Sequence, residues 1–316
     1  MSWPQCTPPL RPGPAAPVTG ALAGARAGAD EGPVDSRSMV TLRPSCARVP
    51  TLAALALALV PTAAAAGSEP ATAVPPGVVV RWAGPELVSC ELRGRRWEPI
   101  DGACLYPIDL GASGTLELVR RSSGGVASRR VRVEGYPYPT QELTVEEKYV
   151  APSAADLERI AREKKRIGAL WSLDTPRRFA LPLGPPLASL PEDSRFGSRR
   201  IFNGEPRSPH SGGDYAAKTG TPVLAVADGT VVLAEEHYFA GNSVFVDHGD
   251  GLISMSFHLS AIDVKKGDEV VRGQQLGRVG ATGRVTGPHL HFGLRWRGAR
   301  IDPELLLGRA EPVEIR

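Results

Sequence analysis

The sequence has 316 residues and a formal net charge of +3; 42% of its residues are hydrophobic and 22% are charged. This length allows about two domains, and the composition is that of an ordinary globular protein. The net charge is small, and no run of lysines or arginines interleaved with aromatic residues stands out. We therefore expect no nucleic-acid partner.

The first 66 residues carry the pattern of an exported protein. Residues 1–38 are rich in proline, glycine and alanine without apolar periodicity, so they are predicted to be disordered or to precede the true translation start. Residues 39–66 have the features of a signal peptide, since Arg43 and Arg48 precede an apolar stretch at 51–60 and small residues follow it. That stretch is too short to span a bilayer, so no stable membrane span is expected after cleavage. The periplasm is the expected compartment, with secretion or wall association as alternatives.

The cysteines indicate one disulfide. Two of the four cysteines lie within the first 66 residues, and removal of the signal peptide leaves Cys90 and Cys104. An even pair in an exported protein predicts a disulfide between them. Two buried free thiols are the alternative.

A small accessory domain is predicted at 77–135, after a flexible linker at 67–76. Short β-patterned runs separated by turns fill this region, and Val131 and Val133 alternate with arginines as in a half-buried strand. This spacing is typical of a β-sandwich, which the disulfide would connect.

Residues 136–175 predict a proline-rich connector and one amphipathic helix. Ser153 and Asp156 have the spacing of a capping box. One helical stripe contains the apolar residues Leu157, Ile160, Ile167 and Trp171. We expect this helix to pack on its own protein. The alternative is that it docks a partner or covers the functional groove.

Residues 176–316 predict a mainly β domain, an antiparallel sheet or a flattened barrel-like structure. Two strands are expected to meet at an Asp-Gly turn at Asp228 and Gly229, and two more around the turn at 249–251. No stretch of this region has a helical period of useful length.

Four histidines and one aspartate of this domain predict a metal site. In the segment GPHLHFG, His289 and His291 are two residues apart, so in a strand both point to one face. His210 and Asp214 flank a Ser-Gly-Gly sequence, which favours a loop entering a strand, and His258 ends a predicted strand. Histidine and aspartate are ligands of zinc in catalytic sites that keep one position for water. Same-face geometry alone does not decide which of His289 and His291 binds the metal.

These motifs, H-x-x-x-D, F-H-L-S and G-P-H-L-H, resemble those of the lysostaphin-type (LytM-type) zinc endopeptidases over residues from about 195 to 305. The resemblance implies that His210, Asp214 and His291 bind one zinc ion, and that His258 and His289 handle protons during hydrolysis. It also implies that the chain cleaves peptide bonds in peptidoglycan stem peptides or cross-links. Many members of that family carry tyrosine two residues before the central histidine, where this chain has Ser256.

Two other functions remain as alternatives. Relatives that have lost ligands act as activators of other wall hydrolases, but this chain retains all five motif residues. Residues 221–232 and 264–277 also resemble biotinyl or lipoyl carriers, although no lysine lies in the expected hairpin context. A regulatory protein could bind the accessory domain or the helix.

Four further polar residues have simpler interpretations. His248 is expected at a turn, and His237 on the surface or in a loop near the groove. Asp228 and Asp247 are expected at a turn and a strand end, and not as ligands.

Overall fold

The structure is a computed structural model that describes residues 71–191 and 194–316. The predicted N-terminal extension at 1–38 and signal peptide at 39–66 lie outside the described residues. The described chain is mainly β, as the sequence predicts.

The first part of the described chain contains eight strands, a 3-10 turn and one helix. In chain order they are β1 (Thr72–Val74), β2 (Val79–Ala83), β3 (Leu87–Leu92), β4 (Arg95–Trp97), β5 (Ala103–Pro107), β6 (Gly114–Ser122), β7 (Gly125–Val133), β8 (Thr140–Leu143), the 3-10 turn (Glu147–Tyr149) and α1 (Ala154–Leu170).

The second part contains thirteen strands and one short helix. These are β9 (Arg199–Phe202), β10 (Glu205–Arg207), β11 (Gly213–Ala216), β12 (Pro222–Leu224), β13 (Gly229–His237), β14 (Gly241–Asp247), β15 (Leu252–Leu259), β16 (Ala261–Ile262), β17 (Glu269–Val270), β18 (Gln275–Arg278), β19 (His289–Trp296), β20 (Ala299–Ile301), α2 (Pro303–Leu306) and β21 (Val313–Ile315).

Two sheets near the N-terminal end enclose a core of their own. One has the strand order β1-β7-β6-β3-β4 and the other β21-β2-β5. The predicted disulfide is present, and it joins Cys90 of β3 to Cys104 of β5, with the two Cα atoms 5.5 Å apart. It therefore links the two sheets around buried Trp82, Tyr106 and Leu118.

The borders of this region differ from the predicted linker and domain limits. β1 lies within the predicted linker at 67–76 and pairs in parallel with β7, because Val74 buries its side chain in this core. The C-terminal strand β21 pairs in parallel with β2 and buries Ile315. Strands of three residues carry too little periodicity for the sequence to reveal either pairing.

The connector contains one strand that the sequence did not predict. β8 lies within 136–175 and pairs in parallel with β9, giving a sheet of order β10-β9-β8. Its half-exposed, mostly polar sequence, TQEL, has no alternating apolar pattern. Backbone pairing to β9, and not burial of its side chains, places this strand.

Helix α1 packs on the sheet of its own chain. Ser153 caps it by accepting a hydrogen bond from the backbone N–H of Asp156 at 3.2 Å. Ile167 is buried in a cluster formed with β13, β14 and β15. The predicted apolar stripe is only partly correct, since Leu157 is 54% exposed. A polar residue, Glu163, is buried on this helix. Its carboxylate accepts hydrogen bonds from the backbone N–H of Tyr238 and forms an ion pair with Arg159.

The largest sheet has the antiparallel order β11-β19-β15-β14-β13-β17, with β20 paired to β19. One face packs Tyr215, Phe292 and Trp296 into the main core, and the other packs Phe245 and Phe257 beneath α1. A small sheet of order β12-β18-β16 lies beside it. The sheets stay open and do not close into a barrel.

Of the two predicted strand pairs, one forms and one does not. β14 and β15 pair antiparallel across the turn at 249–251. The strands around Asp228 and Gly229 enter different sheets, since β12 pairs with β18 while β13 pairs with β14 and β17. Gly229 is required for close approach, because a Cβ there would lie 2.5 Å from the Asp247 carbonyl oxygen. The hairpin prediction was therefore wrong.

The short helix α2 was also not predicted, because four residues provide no helical period. Its N-cap Asp302 accepts a hydrogen bond from the Glu304 backbone N–H at 3.1 Å. Within residues 71–191 and 194–316, no helix combines the length and apolar character that crossing a bilayer requires.

The disulfide gives the first testable prediction. Replacing Cys90 and Cys104 together by alanine should lower the free energy of unfolding by about 3 kcal/mol, since the bridge closes a loop of sequence separation 14. Denaturant unfolding of the variant and of the oxidised protein measures this difference. Thiol titration of the denatured, unreduced mature protein, which lacks residues 1–66, is the control, and two free thiols there would contradict the pairing.

Candidate metal centre

Strand register places the predicted ligands together. Asp214 of β11 lies directly opposite His291 of β19, and Ala216 lies opposite His289. His289 and His291 both approach the Asp214 carboxylate, with His289 Nε2 at 3.5 Å and His291 Nδ1 at 2.8 Å from Oδ1. The two imidazoles therefore share the strand face that their spacing predicts.

Three potential ligand atoms converge at this point. His210 Nε2 lies 2.9 Å from Asp214 Oδ1 and 2.9 Å from His291 Nδ1. All three atoms are within 4.8 Å of one another, and the two histidines are buried. Two imidazoles and one carboxylate are a donor set that zinc takes in catalytic sites. The donor chemistry of these residues thus fits the predicted zinc cofactor.

Backbone carbonyls fix the tautomers of three rings. Nδ1–H of His210 donates to the Arg195 carbonyl, that of His258 to the Thr282 carbonyl and that of His289 to the Gly287 carbonyl, each at 2.8 Å. A carbonyl oxygen only accepts, so the proton of each neutral ring lies on Nδ1. Each Nε2 therefore keeps a lone pair for a metal or a proton.

His258 reaches the site through an unusual backbone conformation. Its φ is +65°, a left-handed value that costs a non-glycine residue about 1–3 kcal/mol. The ring of the preceding Phe257 stacks on His291 at 5.2 Å between centroids. Strand alternation would send the next side chain to the opposite face, yet the His258 ring lies 5.0 Å from that of His289. The left-handed turn at the end of β15 thus directs His258 toward the other imidazoles.

Burial sets the charge of these imidazoles. It lowers the pKa of His210 to about 4 and that of His258 to about 3, and the pKa of His291 falls well below its usual value for the same reason. Burial also lowers the pKa of His289, but three causes together outweigh it and raise the pKa overall: the hydrogen bond that the protonated ring donates to Asp214, the charge of that carboxylate, and the hydrogen bond to the Gly287 carbonyl. The three rings with lowered pKa values are therefore neutral at pH 7, the state in which imidazole binds metals.

An arginine holds the second oxygen of the carboxylate. Arg200 of β9 donates from Nη2 to Asp214 Oδ2 at 2.5 Å. Burial would raise the pKa of Asp214, but the neighbouring imidazoles, His210 foremost, hold it well below its usual value. Sequence reasoning did not identify Arg200. The signal that could have found it is its position two residues before Phe202 in the RRIF strand, which puts both side chains on one face.

Comparison with known proteins identifies the family. The sequence profile Peptidase family M23 matches residues 208–303. A crystal structure of a putative peptidase M23 from Pseudomonas aeruginosa superposes with a TM-score of 0.57 at 34% identity, covering 74% of this chain and 95% of that one. The chain belongs to peptidase family M23.

Two relatives match a shorter part of the chain. Peptidoglycan DD-endopeptidase ShyA of Vibrio cholerae is 47% identical over 110 residues, which are 34% of this chain and 26% of that protein. DD-carboxypeptidase/endopeptidase Mpg of Neisseria meningitidis is 44% identical over 94 residues, which are 30% of this chain and 22% of that protein. The match thus spans about a quarter of the length of these relatives.

The remaining polar residues lie outside the cluster formed by His210, Asp214 and His291. His237 was expected at the surface, and that prediction was wrong, since it is 1% exposed and its Nδ1 lies 2.6 Å from Ser243 Oγ. His248 lies at a turn as expected, with Nδ1–H donating to the Asp228 carbonyl. Asp247 accepts a hydrogen bond from the Gly249 N–H at the same turn. None of the three approaches the ligands.

Ser256 occupies a buried position in the middle of the main sheet. It is paired with Val244 on one side and with Phe292 on the other. Serine has no aromatic ring, so the aromatic contact with His291 comes from the neighbouring Phe257, whose ring stacks on the imidazole.

The absence of a side chain at Gly212 leaves room for the His291 imidazole. A Cβ at this position would lie 2.8 Å from His291 Nε2 and 2.5 Å from the Phe292 carbonyl oxygen. The glycine thus allows the chain that carries His210 and Asp214 to pass directly against β19. Any larger residue must displace the imidazole or the strand.

We expect Gly212→Ala to weaken zinc binding about 10- to 100-fold, the usual effect of disturbing a residue that orients a ligand. Competition with a chromogenic chelator measures the affinity. Gly168→Ala is the matched control, because a Cβ at this position in α1 meets no atom within 4 Å. Wild-type zinc affinity in Gly212→Ala would contradict the steric argument.

Proposed function

We propose that this chain is a zinc-dependent endopeptidase that hydrolyses peptide bonds in peptidoglycan stem peptides or cross-links. The observation that carries the proposal is the convergence of His210, Asp214 and His291 beside two further imidazoles with unprotonated Nε2 atoms. The names of the ShyA and Mpg relatives support the same reaction and substrate class.

The residues divide into ligands and proton carriers. One zinc ion per chain would be held by His210 Nε2, Asp214 Oδ1 and His291 Nδ1. When bound, zinc polarises the scissile carbonyl and lowers the pKa of water toward about 7. Arg200 keeps the carboxylate oriented, with Oδ1 facing the imidazoles.

His289 and His258 handle the protons of the reaction. Nε2 of each ring has a lone pair, so each ring accepts a hydrogen bond from the attacking water. His289 is the better proton acceptor, because its contact with Asp214 stabilises the imidazolium. Once protonated, the same ring can deliver the proton to the leaving amine.

A cleft beside the metal centre gives a peptide access to these groups. Its lining includes Arg195, Asp214 and His289 together with the chain at 286–288. The half-buried His289 forms part of the cleft wall, whereas His210 and His291 lie deeper. A bound peptide therefore meets the proton-handling face before the ligands.

The alternative functions have less support. An activator without catalysis needs no complete ligand set, and this chain has all five motif residues. A biotinyl or lipoyl carrier needs no buried metal cluster.

The site of action is outside the cytoplasm, where peptidoglycan lies. We propose the periplasm as the compartment and a signal peptide at 39–66 as the route. A regulatory protein could bind the two-sheet N-terminal region or the exposed face of α1, where Leu157 is 54% exposed.

Ligand substitutions test the metal assignment. His210→Ala and Asp214→Ala should each abolish both zinc content and hydrolysis, because each removes one of three protein ligands. Elemental analysis of the purified protein and mass spectrometry of muropeptides released from sacculi measure the two effects. Full zinc occupancy in either variant would show that the assignment is wrong.

Substitution of the proton carriers separates chemistry from metal binding. His289→Ala and His258→Ala should retain zinc and lose about a hundredfold to ten-thousandfold in turnover, the usual contribution of general acid–base groups. His291→Ala is the matched comparison, and it should lose the metal. If His289→Ala loses zinc while His291→Ala retains it, the two roles are reversed.

A further inference from the structure

Three arginines lie together beside the metal centre. Arg200 of β9 and Arg207 of β10 are directly opposite each other in the strand register. Arg284, in the segment before β19, places its guanidinium over the rings of Phe202 and Phe239, 4.4 and 4.6 Å from their centroids. Phe202 is two residues from Arg200 in the same strand, so the three cations share one region.

These cations have too few anionic partners. Arg200 is 8% exposed and pairs with Asp214, but its Nε has no hydrogen-bond partner. Arg207 donates to the Val150 carbonyl, and its Nε also lacks a partner. Within residues 71–191 and 194–316, no carboxylate lies within 4.0 Å of the Arg284 guanidinium. Of the three guanidinium groups, only that of Arg200 thus contacts a carboxylate, and this carboxylate belongs to Asp214, itself one of the proposed zinc ligands.

Such an arrangement is costly unless an anion completes it. Like charges directly opposite in a sheet destabilise the pair, and buried guanidinium N–H groups without acceptors lose their hydration. Burial, with Arg200 and Arg207 nearby, lowers the pKa of Arg284 to about 9. A carboxylate is a fitting partner, because guanidinium groups bind it with short charge-assisted hydrogen bonds.

The chain segment that contains Arg284 also positions two of the imidazoles. Its Thr282 carbonyl holds His258 and its Gly287 carbonyl holds His289. The Arg284 backbone N–H donates to the Phe239 carbonyl at 2.9 Å, which ties the segment to β13 and β14. The Arg284 side chain is partly exposed, so a ligand from solvent can reach it.

We propose that Arg284, together with Arg200 and Arg207, binds a free carboxylate of the substrate peptide next to the scissile bond. The inference rests on the proposed endopeptidase function and specifies its substrate. The chain then prefers peptides with a free carboxylate on a residue flanking the cleaved bond over peptides in which that carboxylate is amidated.

A matched pair of substrates tests this preference. Two synthetic cross-linked peptides differ only in whether the flanking carboxyl group is free or a carboxamide, and the zinc-loaded mature protein is assayed with each. We expect kcat/KM to be about tenfold higher for the free carboxylate, the effect of one hydrogen bond to a charged group. Equal values overturn the inference and leave the endopeptidase function standing. Cleavage of neither peptide overturns the proposed function and the inference with it.

Substitutions assign the preference to the arginines. Arg284→Gln should bring the ratio of the two kcat/KM values close to one, whereas Arg284→Lys should keep part of it. Arg162→Gln is the matched control, because Arg162 lies on the exposed face of α1 with its side chain 65% exposed. If Arg284 only stabilises its segment, Arg284→Gln slows both substrates and keeps the wild-type ratio, which overturns the inference. Arg207→Gln provides the same readout if Arg284→Gln does not fold.

Discussion

Asp214 Oδ1 is the atom on which the site depends, because the ring nitrogens of His210, His289 and His291 all approach it. The approach requires one strand register, with Asp214 opposite His291 in the β11–β19 pair. A shift of one residue would turn the carboxylate to the other face of the sheet. The metal centre is therefore fixed by the same backbone pairing that forms the main sheet.

Side-chain packing on both faces of the main sheet connects the position of His291 to the rest of the fold. Phe257 stacks on His291 and also belongs to the cluster that includes Phe245 and Ile167 of α1. The helix thus supports the layer of side chains against which His291 packs, and the buried Glu163 connects the helix to the Tyr238 backbone at the end of β13. On the opposite face, Phe292 and Trp296 bury β19 in the main core. A strand packed on both faces has little freedom to move its histidines.

Backbone carbonyls in loops orient three of the imidazole rings. Arg195, Thr282 and Gly287 each contribute a carbonyl that accepts a hydrogen bond from one imidazole, and each therefore sets a tautomer. The first carbonyl precedes β9, and the other two lie between β18 and β19. Two separate loops consequently determine which ring nitrogen faces the reaction. The same β18–β19 segment carries Arg284, which connects proton handling with the proposed carboxylate subsite.

The sequence predicted what depends on short-range pattern. The period-two spacing of His289 and His291 gave their common face, and the Ser153–Asp156 spacing gave the helix cap. The sequence did not predict long-range strand pairing. The three-residue strands β1 and β21 are too short to show a period, and Gly229, where a hairpin turn was expected, allows close approach to the Asp247 backbone. The position of His258 depends on a left-handed φ, which no neighbouring residue type requires. Arg200 was missed because its partner Asp214 is fourteen positions away in a different strand.

In the proposed site, one zinc ion binds three specific atoms of this chain. Anomalous diffraction at the zinc edge, from crystals of the purified zinc-loaded protein, tests it most directly. We expect a single strong peak within coordination distance of His210 Nε2, Asp214 Oδ1 and His291 Nδ1, with His258 and His289 outside that distance. A peak coordinated by His289 in place of His291, or the absence of any peak near Asp214, would contradict it.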